Sequence, residues 1–257
     1  MISFVGAGPG AADLLTLRAV DRLAGADVVI WASSLVAEDH LAHCRDGVEV
    51  HDSKQMTLED VTAVFAARPD AAIVRLHSGD PSVYSAIGEQ IDWCVARHRP
   101  FEIVPGVGSL AAAAAAVGRE LTQPGVAQSV VLTRLAHRTA ASMPTGEDLA
   151  RFAAVGGTIA VFLSAARPDA LQSELLADRS RFTSDTPAVI ASRVSWPDEQ
   201  VVATTVGRLA ADLHALGTRA TVLVLVGDAL GRGPVAARSH VYAPAYSHSF
   251  RSGTGDG

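Results

Sequence analysis

The sequence predicts an α/β fold: two α/β domains with mainly parallel or mixed sheets. Three observations carry that expectation. Short apolar runs alternate with segments whose apolar residues recur at helical spacing. Several runs end in glycine-bearing turns, as in Gly6-Ala7-Gly8-Pro9-Gly10, Ser78-Gly79-Asp80-Pro81 and Pro105-Gly106-Val107-Gly108-Ser109. The rhythm pauses once, at Glu120-Leu121-Thr122-Gln123-Pro124-Gly125. Strands alternating with helices imply a buried, mainly parallel sheet with right-handed crossovers.

Taken in order, Ile2 to Val5 is a strand, followed by a helix with Leu14, Leu17, Val20 and Ala24 on one side. Asp27 to Trp31 is the next strand. Thr57-Leu58-Glu59-Asp60 matches a capping box that opens a helix through Val61, Val64 and Phe65. The run Ala71 to Leu76 is a buried strand. After it, Asp80-Pro81 reads as a helix start, continuing through Ile87 and Ile91 to about Arg97. Phe101 to Val104 is a strand, and Ser109 a cap for a helix from Leu110 to Gly118. The pause places a domain boundary, giving domains 1–120 and 121–231. The second domain has strands at 129–133, 158–163, 188–191, 201–205 and 221–226, and helices near 146–155, 167–177 and 206–216. Its pattern has more hairpin character. Residues 232–257, rich in Gly, Ser, Pro and His, form a partly flexible tail that packs loosely.

Composition narrows the function classes. No run approaches 18 uninterrupted apolar residues, so no membrane span is expected. The opening Met1 to Gly6 reads as a strand rather than a signal peptide. Cys44 and Cys94 are the only cysteines and lack metal-ligand spacing, which suits a reducing cytoplasm and no metal site. A net charge of −6 argues against broad nucleic-acid binding. Lys54 is the only lysine; the other basic residues are arginine, which grips carboxylates in a bidentate fashion but also follows from a biased genome.

The chemistry lies in the turns. His77 to Tyr84 puts one carboxylate at the carboxyl end of a buried strand, where open α/β sheets bind ligands. Asp80 has two readings there: helix N-cap before Pro81, or contact to a ligand of cationic or hydroxyl character. Gly6 to Gly10 invites a dinucleotide reading but has G-x-G-x-G spacing, a proline in the turn and no acid after the second strand. A backbone requirement and a ligand-facing loop both remain open for it. No P-loop, nucleophile elbow, H-E-x-x-H or close cysteine–histidine motif occurs. His40, His43 and His137 read as surface groups. Methyl transfer from a sulfonium suits such a chain, because positioning is most of what it asks of the protein.

The three glycine turns, in this order and spacing, resemble the tetrapyrrole methylases that use S-adenosylmethionine, and the resemblance spans nearly the whole chain. Further segments are similar to the branch acting on precorrin-4 at ring carbon 11: Ala32 to Val36, Leu76 to Pro81, Glu120 to Thr122, Gln128 to Arg134, Phe162 to Ala165, Ser195 to Glu199, and the tail from Ser239 to Arg251. The resemblance implies a cytoplasmic homodimer of cobalamin biosynthesis, with a cofactor cleft between two α/β domains. It implies cofactor contacts at Pro9, Ser78, Gly79, Asp80, Val83, Gly108 and Ser109, then at Leu163, Ala220 and Thr221. Gly8, Lys54, His77, Arg134 and Arg138 are the candidates for holding a polycarboxylate tetrapyrrole. No catalytic residue is assigned. Gly108 replaces a serine or threonine of many relatives. Ala32 stands where the uroporphyrinogen-methylating branch has an aspartate proposed as a base. The expected activity is methylation of precorrin-4, or of its cobalt-bearing equivalent, to precorrin-5, releasing S-adenosylhomocysteine. The alternatives are methylation at another macrocycle position, a nucleotide-dependent oxidoreductase, and a noncatalytic tetrapyrrole-binding protein.

Overall fold

The computed structural model describes residues 1–135, 142–218, 220–231, 233 and 239–254. Two compact units emerge: Met1–Ala113 with Arg193–Glu199, and Ala114–Ser192 with Gln200–Gly257.

The first unit is built on a five-stranded, fully parallel sheet. Its strands are β1 (Ile2–Gly6), β2 (Val28–Trp31), β3 (Glu49–Asp52), β4 (Ile73–His77) and β5 (Phe101–Val104), in the spatial order β3-β2-β4-β1-β5. Such sheets are covered on both faces, and side chains alternate between them. Val5, Val29, Val74 and Leu76 pack with Ala19 and Leu23 of α1 (Leu17–Ala24). Ile2, Phe4, Val28, Ile30 and Ile73 pack with Val61 and Phe65 of α2 (Leu58–Ala67) and Cys94 of α3 (Gly88–Ala96). The chain therefore leaves β1 toward one face of the sheet and leaves its neighbour β4 toward the other. The β1/β4 pair is the topological switch point, where ligands bind in folds of this class.

Local chemistry sets the helix starts. Thr16 caps α1 by accepting from the Ala19 N–H at 3.1 Å. The Thr57 box closes as the sequence expects: Asp60 N–H donates to Thr57 Oγ1 at 3.2 Å and Thr57 N–H to Asp60 Oδ2 at 2.9 Å. The helix expected at Pro81 instead starts at Gly88, and α4 (Ser109–Val117) begins at Ser109 itself. Strand β3 was missed because its sequence, Glu-Val-His-Asp, is polar and half-exposed at the sheet edge.

The second unit carries a mixed sheet of β6 (Val130–Arg134), β7 (Thr158–Phe162), β8 (Pro187–Ser192), β9 (Gln200–Thr205) and β10 (Val222–Val226), ordered β6-β7-β10-β8-β9. Only β6 and β7 run parallel; the β7–β10, β10–β8 and β8–β9 pairs are antiparallel. Helices α5 (Leu149–Val155), α6 (Pro168–Leu175) and α7 (Leu209–Leu216) contribute Leu149, Leu171, Leu175, Leu209 and Leu213 to its core.

One difference from the sequence-based outline has weight. Arg193–Glu199, inside the expected second domain, belongs to the first unit. Within the tail, Arg251 Nη2 donates to the Val241 and Ala243 carbonyls at 2.8 and 2.9 Å. Among the described residues no helix is long and apolar enough to cross a membrane.

Candidate functional site

Every motif loop of the first unit leaves the carboxyl edge of the parallel sheet. At the switch point the loops after β1 and β4 pair with each other: Gly79 N–H donates to the Gly8 carbonyl at 2.7 Å, and Gly8 N–H to the Gly79 carbonyl at 3.2 Å. The loop after β5 is pressed against both. A Cβ on Gly6 would lie 2.6 Å from Gly106 Cα and 2.7 Å from the Gly79 oxygen; one on Gly106 would overlap that same oxygen. These glycines are required because three backbones meet, which settles the backbone side of the question the sequence left open. Gly108 is different. A Cβ there would meet nothing within 4 Å among the described residues, so it borders open space.

Asp80 joins the loops and caps no helix. Its Oδ1 accepts from the Ser82 N–H at 2.8 Å and from the Ser82 hydroxyl, forming a local turn. Its Oδ2 accepts from the Gly106 N–H at 2.8 Å. Burial pushes the carboxyl pKa up, but these hydrogen bonds outweigh it and hold the group below the usual carboxylate range. Oδ1 makes the local bond expected of a cap, yet no helix follows before α3 at Gly88, and the donor to Oδ2 lies 26 residues away, out of reach of local pattern.

The amides of the first loop are occupied as well. Ala7 N–H donates to His77, Gly8 N–H to Gly79, and Ala11 N–H to Ser195 Oγ at 3.0 Å, while Pro9 has no N–H. A diphosphate needs free amides from such a turn. This loop holds few.

The candidate cations of this unit fare unequally. His77 is buried, and burial, reinforced by the Arg75 charge, lowers its pKa to about 3, so it is neutral and offers no positive charge near pH 7. Its Nε2 has no hydrogen-bond partner among the described residues. Lys54 Nζ pairs with Asp52 Oδ2 at 3.0 Å. Asp52, which the sequence reading passed over, also accepts from Ser33 N–H at 3.1 Å and Ser33 Oγ at 2.6 Å. Those bonds, the Ser33 hydroxyl foremost, hold its carboxyl far below the ordinary range. It orients the loop after β2.

In the second unit the candidate residues share one end of the mixed sheet. Arg134 closes β6 opposite Phe162, Leu163 follows β7, and Ala220-Thr221 precede β10, which runs antiparallel to β7. Arg134 Nη2 donates to Ser142 Oγ at 2.9 Å. Arg138 and His137 lie outside the described residues. Leu163 and Thr221 hold φ of +53° and +58°, and Leu163 is 68 % exposed. Left-handed backbone in a β-branched residue is strained, and such strain gathers at ligand sites. Tyr84 and Ala86, just past Val83, share it, as do Arg193 and Ser195.

The sequence matches the family model of the tetrapyrrole (corrin/porphyrin) methylases over residues 1–210. The chain belongs to the tetrapyrrole methylases. It is 43% identical over 232 residues to a precorrin-4 C(11)-methyltransferase of Rhodococcus erythropolis, covering 89% of this chain and 91% of that one. Among solved structures, a cobalt-precorrin-4 methyltransferase superposes with a TM-score of 0.85 at 39% identity, covering 90% of this chain and 95% of the other. A uroporphyrin-III C-methyltransferase of Thermus thermophilus, solved with S-adenosylhomocysteine, gives a TM-score of 0.73 at 28% identity over 89% and 92% of the two chains.

Proposed function

We propose that this methylase transfers a methyl group from S-adenosylmethionine to ring carbon 11 of precorrin-4, or of cobalt-precorrin-4, in cobalamin biosynthesis. The observation that carries this reading is the kinship with enzymes of that specificity along nearly the whole chain. The residues fit the cofactor: Gly108 opens onto space beside Gly79, whose Cβ would sit 3.8 Å from the Ser109 nitrogen. Pro9, Ser78, Gly79, Asp80, Val83, Gly108 and Ser109 of the first unit would hold it, with Leu163, Ala220 and Thr221 of the second. When bound, S-adenosylmethionine supplies a methyl group already activated on a sulfonium, which an electron-rich macrocycle carbon displaces with release of S-adenosylhomocysteine.

The protein's own part is positional. Asp80 fixes the β4 and β5 loops against each other, so bare backbone is presented in one geometry. Asp52 holds the Ser33 loop on the same sheet edge. Neutral His77 offers hydrogen bonding without charge. Gly8, Lys54, His77, Arg134 and Arg138 form the candidate substrate set. These roles are positional and accord with a reaction governed by alignment. A nucleotide-dependent oxidoreductase is disfavoured by the occupied amides of Ala7, Gly8 and Ala11.

Incubation of the purified protein with labelled S-adenosylmethionine and precorrin-4 or its cobalt form tests the assignment. Labelled methyl at carbon 11 is expected; label elsewhere moves the enzyme to another branch, and no transfer to either substrate refutes the reading. Relative turnover of the two substrates distinguishes the cobalt-free from the cobalt-bearing route. We also propose a cytoplasmic homodimer. The two cysteines are unpaired, and the edge strands β6 and β9 carry Leu132 and Val201, 41 % and 36 % exposed. Sedimentation at a single-chain mass would refute the dimer.

A further inference from the structure

The connection between β8 and β9 forms a strap in the first unit. Trp196 Nε1–H donates to the Pro9 carbonyl at 2.9 Å, and Ser195 Oγ accepts from the Ala11 N–H. The indole fills the space where Gly10 would carry a Cβ. Arg193 lies over the Trp196 ring, its guanidinium carbon 4.1 Å from the ring centroid. Its Nε donates to Asp198 Oδ1 at 2.6 Å. Arg193 and Ser195 hold φ of +49° and +65°, so the strap maintains two strained residues to keep this arrangement.

Stacking and the Asp198 bond fix the plane of the guanidinium. Among the described residues neither Nη atom donates within the protein, and the side chain is 32 % exposed. The other cations near the sheet differ: Lys54 pairs with Asp52, Arg22 with Glu102 and Arg45 with Asp27, while Arg75 is largely buried. A planar donor edge with its orientation fixed matches a carboxylate in bidentate geometry. We propose that Arg193, oriented by Trp196 and Asp198 beside the Pro9 loop, binds a carboxylate of the polycarboxylate macrocycle. The inference rests on the methylase reading above. It adds a substrate contact at a strap that neither charge count nor motif singles out for this role.

The stable octacarboxylate uroporphyrin III serves as probe, its binding followed by fluorescence quenching with S-adenosylhomocysteine saturating. Arg193→Ala is expected to weaken the probe about tenfold, the scale of a charge-assisted bidentate contact, and Arg193→Lys to recover part of that loss. S-adenosylhomocysteine affinity by calorimetry stays unchanged in both. In turnover, KM for the macrocycle rises while kcat holds. Trp196→Phe keeps the ring but loses the Pro9 tether, and weakens the probe by a smaller factor. Equal probe affinity in wild type and Arg193→Ala overturns the proposal. So does a parallel loss of S-adenosylhomocysteine affinity, or no probe binding by the wild type. A wild type that binds the probe but methylates neither precorrin refutes the activity alone, and the Arg193→Ala loss then still decides the binding role.

Discussion

Both units carry left-handed residues near the end of a sheet, Tyr84, Ala86, Arg193 and Ser195 in the first and Leu163 and Thr221 in the second, but the first adds an interlock of its loops. In the first, the loops after β1, β4 and β5 lock one another: glycine backbones meet, amides pair with carbonyls across loops, and Asp80 ties Ser82 to Gly106. In the second, Leu163 and Thr221 hold left-handed backbone that neither side chain favours. The difference separates two kinds of preorganisation. An interlocked edge has geometry that cannot yield, and a substitution there is felt as lost stability. A strained edge stores energy, and relieving it stabilises the fold while loosening the site.

The sharpest test of the interlock is Gly106→Ala against Gly108→Ala. The first drives a methyl into the backbone of Gly79 and Gly6, with no side chain able to move aside. A loss of about 3 kcal/mol in chemical denaturation is expected. The second meets open space and stays within about 0.5 kcal/mol of wild type, while weakening S-adenosylhomocysteine because the methyl enters the ligand's space. Equal stability of the two variants would show that the loops are not interlocked.

The next effect is pH-dependent and belongs to the first unit alone. His77 titrates near 6.5 when unfolded and at about 3 when folded. The unfolded chain therefore binds the extra proton first. Stability from this group is complete above pH 6.5 and falls continuously toward pH 3. Between pH 7 and 5 the loss is about 2 kcal/mol, at 1.36 kcal/mol per pH unit below 6.5. His77→Asn should flatten that part of the stability profile. An unchanged profile would mean that His77 is not held neutral.

Asp80→Ala removes the tie without adding bulk. Losing the bonds to Ser82 and Gly106 is expected to lower stability by about 1.5 kcal/mol. Affinity for S-adenosylhomocysteine should fall about tenfold, since the two loops then move independently. Stability loss with unchanged affinity would reduce Asp80 to a structural role.

What was legible in the sequence follows the range of the interactions. Strand, turn and helix alternation is local, and the capping box at Thr57 and the strands β1, β4, β5, β7 and β10 stand close to where the pattern puts them. The glycine turns were legible as turns. Their interlock was not, because Gly6 and Gly106 are far apart along the chain. Asp80-Pro81 carries a genuine cap signature and makes its local bond to Ser82, but no helix follows it and the second oxygen reaches a distant amide. The strap is the extreme case: Trp196 and Pro9 are 187 residues apart, and nothing local in Ser195-Trp196-Pro197 says which loop it will hold. Likewise no pattern distinguishes a charged from a neutral His77; its burial at the end of β4, reinforced by the Arg75 charge, decides that.

The smallest expected effect has the opposite sign and probes the second unit. A left-handed, β-branched residue costs about 1–2 kcal/mol relative to glycine, and glycine's greater freedom in the unfolded chain returns part of that. Thr221→Gly should therefore raise stability by somewhat under about 1 kcal/mol, detectable as a higher midpoint at unchanged denaturant slope. The same change frees the segment before β10 to sample other conformations, so S-adenosylhomocysteine should bind more weakly. A stabilised variant with weakened binding identifies strain held for the ligand. A destabilised one would mean that Thr221 is supported by its own packing, and the two sheet ends would then be held by the same means after all.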